Sequence, residues 1–202
     1  VAWPSSLERT LIAALALASA GAALAAPVEV TVTDATGRPL ADAVVFVESA
    51  AAKAAARPLA DVDIVQAQKT FQPMVTAVTV GTAVGFPNRD TVRHHVYSFS
   101  PAKRFELKLY VGTPAAPVVF DRPGVAVLGC NIHDDMAAWV VIVETPWFGK
   151  TDVQGRVRLP EVPAGRHQLR TWHVDMPVGT PALSQPLVVE AVVVRASVRV
   201  GG

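Results

Sequence analysis

From Val28 to Thr33 apolar and polar residues alternate, Val-Glu-Val-Thr-Val-Thr, the period of a strand with one buried face. Asp34 and Gly37-Arg38-Pro39 interrupt it as turn residues, and a second valine-rich run reaches Glu48, so this segment predicts two strands joined by a turn. Ala50 to Ala56 is alanine-rich with one lysine; a loop or a single helical turn satisfies it, and it reads as a connection. Short apolar runs then follow at close spacing: Val62, Ile64 and Val65; Phe71, Val75, Val78 and Val80; a Gly81-Thr82 turn; and Val84 to Phe86. In the next run, His94 to Phe99, His94 and Val96 share one face of a strand and His95 and Tyr97 the other. Ser100 to Arg104 predicts a loop, after which Phe105, Leu107 and Leu109 face one side and Glu106 and Lys108 the other. Pro117 to Phe120, a Pro123-Gly124 turn, Val125 to Leu128 and Trp139 to Val143 complete this series.

After Pro146 come tight turns at Gln154-Gly155 and Ala164-Gly165 with strands around them, and Leu187 to Val200 reads as a final strand-like stretch. No segment sustains a helical period. The expected fold is all-β.

Composition narrows the function classes. Of 202 residues 51% are apolar, ample for a core, and the formal charge of +1 leaves no whole-chain footprint for nucleic acid or an anionic membrane. Residues 1–26 read as an export signal: Arg9 ends a short positive region, Leu11 to Ala22 is uncharged and Ala/Leu-rich, and Ala23-Leu24-Ala25 supplies small residues for cleavage after Ala25 or Ala26. A periplasmic location follows, and no later stretch is long and apolar enough to span a bilayer.

Export gives the single cysteine its meaning, because a lone cysteine in an oxidising compartment has no intramolecular disulfide partner. Cys130, His133 and Met136 put a thiolate, an imidazole and a thioether within seven residues, where an apolar strand gives way to a loop. Alone, Cys130 would read equally as an inert buried thiol. With its two neighbours it forms a soft ligand set suited to copper, whose electron-transfer sites take two histidines and a cysteine in a plane with a weak axial methionine. The second histidine must come from elsewhere in the chain.

Residues 60–146 resemble a cupredoxin, a Greek-key β-sandwich. Asn88-Arg89-Asp90-Thr91-Val92-Arg93-His94-His95-Val96 resembles the segment that supplies the first histidine ligand in amicyanin-like and plastocyanin-like proteins, Pro123 to Cys130 resembles their strand entering the cysteine, and Cys-x2-His-x2-Met is the amicyanin spacing. The chain is similar to exported bacterial proteins of the methylamine utilisation or plastocyanin-like type. The flanks, 27–52 and 147–202, resemble the beginning and later parts of one carboxypeptidase regulatory-like, immunoglobulin-like sandwich, in Asp34-x2-Gly37-x-Pro39-Leu40 and Asp152-x2-Gly155 with Leu159-Pro160. The cupredoxin would then be inserted in that discontinuous module, with two domains in series as the alternative.

The resemblance implies one mononuclear type 1 copper held by His94, Cys130, His133 and Met136, an electron carrier rather than an enzyme, and an unidentified redox partner protein. It favours His94 over His95 as first ligand, leaving His95 behind the site or facing solvent. Two positions depart from the family: His95 stands where asparagine is usual, and Asp135, preceded by Asp134, stands where an aromatic is usual before the methionine, so that a carboxylate would lower the reduction potential or compete as axial ligand. The alternative function is a copper-storage, or protein- or glycan-docking, module without redox turnover. Only three, well-separated methionines argue against copper delivery. His167 and His173 read as ordinary surface or strand histidines, Trp139 and Trp172 as core or interface aromatics, and Arg89, Arg93, Lys103 and Arg104 as solvated loop charges or a docking patch.

Overall fold

A computed structural model describes residues 24–190 and 192–201. The expected export signal up to residue 23 lies outside the described residues. In chain order the elements are β1 (Ala25–Asp34), β2 (Val44–Glu48), α1 (Ala50–Ala55), β3 (Val62–Asp63), β4 (Val65–Ala67), β5 (Thr70–Gln72), β6 (Val75–Thr79), β7 (Thr82–Gly85), β8 (His94–Ser100) and β9 (Lys103–Tyr110). There follow β10 (Val118–Phe120), β11 (Gly124–Gly129), β12 (Ala137–Val143), β13 (Phe148–Lys150), β14 (Arg156–Pro163), β15 (Gly165–Trp172), β16 (Leu183–Val189) and β17 (Val194–Val200). The all-β reading holds, and several sheets stack as a sandwich. The alanine-rich connection resolves into α1, where the Ser49 hydroxyl caps the amide of Ala52.

The two ends of the chain build two sheets, β14-β1-β17 and β13-β2-β15-β16. Val28, Val30 and Val32 of β1 and Val44 to Val47 of β2 are buried between them. The stretch expected as one final strand is two, because β16 pairs with β15 in one sheet and β17 runs parallel to β1 in the other. The chain must cross between layers, so the alternation breaks at Glu190. Pro186 is tolerated because β16 is an edge strand.

The middle of the chain builds a five-stranded sheet, β6-β12-β11-β8-β9, a three-stranded sheet, β10-β7-β3, and the β4-β5 hairpin. Alternation on β11 and β12 divides two cores. Ala126, Leu128, Cys130, Ala138, Val140 and Ile142 face a cluster with Phe86 and Phe120. Val141 and Val143 face the other way, with Trp139 and Val125, into the core of the end sheets, where Trp172 is also buried. Burying one such large side chain contributes ~1.5–3 kcal/mol.

Two local expectations are corrected. The predicted Ser100–Arg104 loop shrinks to Pro101-Ala102, since Ser100 already pairs with Lys103. Leu109 is exposed, not on the face of Phe105 and Leu107, because the β8-β9 register shifts between His94 and Val96 and brings Tyr110 opposite His94. One extra residue on β9 there reverses the faces.

Candidate metal centre

Antiparallel pairing carries His94 to the cysteine. Tyr97 of β8 lies opposite Gly129 of β11, so the start of β8 lies beside the end of β11, and Cys130 is the next residue. β11 and β12 are paired up to Gly129 and Ala137, which closes Cys130 to Met136 into a seven-residue loop. The ligand atoms of His94, Cys130 and His133 all lie within 4.8 Å of one another, a group that can hold a metal ion.

Each side chain is prepared differently. His94 is fully buried, and its Nε2 is 2.7 Å from Asp90 Oδ2. A carboxylate partner fixes the proton on Nε2, which leaves the Nδ1 lone pair directed to Cys130 Sγ, 3.9 Å away. Asp90 is itself held: the amides of Gln68 and Lys69 donate to its two oxygens at 2.7 and 2.9 Å. The Lys69 N–H first, with the His94 imidazole and the Gln68 N–H, keeps this carboxyl below its ordinary range against desolvation. Asn88 ties the segment down, accepting from the Asp90 amide and donating to the carbonyls of Val92 and Tyr110.

His133 Nδ1 is buried and has no hydrogen-bond partner, although buried polar atoms are nearly always paired. The ring lies 5.0 Å from that of His94, centroid to centroid. A metal bound between them would satisfy this atom, so the residues fit the group that the sequence implied. Cys130 is buried and is not in a disulfide. Met136 is buried in the same apolar cluster as Cys130, and its amide closes the loop on the His133 carbonyl at 3.0 Å.

Around the site, the Tyr110 hydroxyl donates to the Phe86 carbonyl at 2.7 Å and accepts from Gln66. Burial pushes this phenol up to about 12, with the nearby Cys130 adding to the shift and the Gln66 contact opposing it. It stays protonated and acts as a fixed donor.

His95 does not face solvent. It is buried, with Nε2 3.0 Å from Glu106 Oε1 and its ring tilted against that of Tyr97. Asp134 and Asp135 are exposed on the loop and lie outside the gathered group, so axial competition from either carboxylate finds no support. Of the histidines expected at the surface or on strands, His167 lies on β15 and His173 just beyond it; both are buried, bonded to the carbonyls of Pro163 and Ala41. Lys103 pairs with Asp121 at 3.0 Å. Asp90, Gln68 and Lys69 were the site residues missed. The i, i+4 spacing of Asp90 and His94 was a legible signal, whereas the turn carried none.

No protein-family model matches the chain, and no curated protein matches it. Among solved structures it is similar to a purple cupredoxin from Nitrosopumilus maritimus, at 22% identity over 41% of this chain and 100% of that one, with a TM-score of 0.36. It is also similar to a copper-containing nitrite reductase from Thermus scotoductus, at 23% identity over 46% of this chain and 26% of that one, TM-score 0.39. A third likeness is to an amicyanin variant in its reduced Cu(I) form at pH 4, at 20% identity over 49% of this chain and 98% of that one, TM-score 0.38.

Proposed function

We propose that this chain is an exported, mononuclear type 1 copper protein that carries single electrons. The observation that carries the reading is the convergence of one thiolate and two imidazole nitrogens, one of them a buried atom with no other partner. Copper is the metal this donor set suits, because thiolate stabilises Cu(I) while imidazole accepts both oxidation states. Met136 is assigned as the weak axial ligand, on its burial beside Cys130.

The protein's part is to keep that geometry unchanged between oxidation states. Asp90 and the β4-β5 turn hold the His94 ring, the β8-β11 pairing sets its height against Cys130, and the Met136 amide fixes the loop that bears His133. Rigid ligands reduce the rearrangement that each electron transfer requires. The ends of the chain, 27–52 and 147–202, are assigned as one carboxypeptidase regulatory-like sandwich around a cupredoxin at 60–146. Their separate sheets, joined through the outer face of β12, support that division.

The test is to load the purified chain with Cu(II) and record visible and EPR spectra through a cycle of ascorbate reduction and reoxidation. An intense thiolate-to-copper band that bleaches and returns is expected. A pale, weakly held or irreversibly reduced copper would contradict electron transfer and favour a binding or storage module.

A further inference from the structure

The outer face of the five-stranded sheet carries a row of three rings. The His95 and Tyr97 centroids are 5.4 Å apart and those of Tyr97 and Phe99 5.1 Å, all on alternate residues of β8. The inner end touches the metal site twice. His95 is bonded to His94 through the chain, and the tip of the Tyr97 ring covers Gly129, the residue before Cys130. A Cβ at Gly129 would lie 2.7 Å from Tyr97 Cζ and Oη, so glycine is what lets the ring lie in this position. The outer end is open to solvent, with Phe99 at 72% exposure.

The rim of this face is charged. β9 places Arg104 opposite Phe99 and Glu106 opposite Tyr97, and Lys108 follows two residues on. Glu106 is engaged by His95 and Lys103 by Asp121, whereas the exposed Arg104 and Lys108 carry no ion pair among the described residues. Arg122 lines a cleft with Arg104 at the same end. An exposed aromatic ring bordered by unpaired cations suits a partner with an apolar centre and an acidic rim.

We infer that this face, with Phe99 at its centre and Arg104 and Lys108 at its edge, docks an acidic one-electron carrier, and that Tyr97 couples that carrier to Cys130 across Gly129. The inference rests on the copper reading above. One electron would pass between the metal held by Cys130 and the carrier, one centre being oxidised as the other is reduced, and no bond forms or breaks. The face is distinct from the loop of His133. Tyr97 is a coupling residue, not a ligand.

Two probes test it. Hexacyanochromate(III), a paramagnetic trianion, is titrated into metal-free and Cu(I)-loaded protein and followed by NMR; hexacyanoferrate(III) then oxidises the Cu(I) protein in stopped flow. Line broadening is expected at the Phe99 and Tyr97 rings in both forms, and is lost in Arg104→Glu/Lys108→Glu. The same pair of changes slows oxidation about tenfold at low ionic strength, and the difference closes in high salt. Tyr97→Leu slows oxidation with the visible spectrum unchanged, and Tyr97→Phe, which keeps the ring, restores the rate. Broadening at Ile132 and His133 with Phe99 untouched would overturn the docking face, and an unaltered rate in Tyr97→Leu would overturn the coupling. A wild-type chain without a thiolate band would instead contradict the copper reading, and the metal-free NMR map would still decide the docking face.

Discussion

Two pairs of histidines have opposite uses. His167 and His173 each spend Nε2 on a backbone carbonyl, the first joining β15 to Pro163 of β14 and the second joining the end of β15 to the turn at Ala41. His94 spends Nε2 on a side-chain carboxylate, which leaves Nδ1 free toward Cys130, and His133 leaves its buried Nδ1 without any partner. An orphaned nitrogen alone does not define a ligand, since His167 Nδ1 is also buried and unpaired. What separates the pairs is convergence: the ligand atoms of His94 and His133 meet the Cys130 sulfur, and no such group forms around the other two among the described residues.

The comparison is broken most sharply at the cysteine. Cys130→Ser is expected to abolish the visible band and tight copper binding altogether, while His167→Ala and His173→Ala retain one copper per chain and lose ~1–3 kcal/mol of stability from the broken buried hydrogen bonds. Stoichiometry by metal analysis and thermal melts of the metal-free proteins check both halves. Retained copper in Cys130→Ser, or lost copper in His167→Ala, would erase the distinction.

A smaller effect belongs to Asp90. Asp90→Asn keeps the shape but removes the charge that sets the His94 tautomer, and Cu(II) affinity is expected to fall ~10–100-fold in a chelator competition, the usual cost of losing such a partner. Equal affinities would mean that His94 needs no brace. Gly129→Ala should cost about 1 kcal/mol, the low end for overpacking, because the Tyr97 ring can turn aside; a urea titration measures it.

The smallest effect is on acid stability and lies far from the metal. Asp34 is held well below its ordinary range, by the Thr36 hydroxyl first, with the Arg38 and Thr36 amides and the Arg38 side chain also lowering it; Asp152 is lowered by the Arg156 amide first and then the Gln154 amide. A depressed folded pKa contributes stability that is complete above the unfolded value, ~3.9, and is lost as pH falls toward the folded one. In Asp34→Asn/Asp152→Asn the melting temperature should therefore depend less on pH below ~4 than in the parent, with the two curves closing as acid is added. Parallel curves would show that these turns do not govern the acid response.

These turns also show what the sequence makes legible. Asp34 to Arg38 and Asp152 to Arg156 share one pattern, an aspartate capping the amides two and four residues on and a glycine at φ 88° or 71°. At Gly155 a Cβ would come 2.4 Å from the Val32 carbonyl, so both local backbone and packing demand glycine, and composition announces it. The β4-β5 turn gives no such signal. Gln68 and Lys69 occupy it at φ 55° and 59°, a left-handed conformation these side chains seldom adopt. Their amides are bound to Asp90, a contact 21 or 22 residues away that no local pattern contains. Likewise the Cys-x2-His-x2-Met spacing was legible because one loop holds it, whereas the burial of His95 and the exposure of Leu109 depend on a one-residue slip between β8 and β9. Local rules yield near the site, and tertiary contacts hold what they release.

The most direct measurement is X-ray absorption at the copper edge of the loaded protein, before and after reduction. One sulfur and two imidazole nitrogens are expected close around a single copper, with bond lengths nearly the same in both oxidation states. A copper bound only by nitrogen and oxygen, or one whose ligands change on reduction, would contradict it.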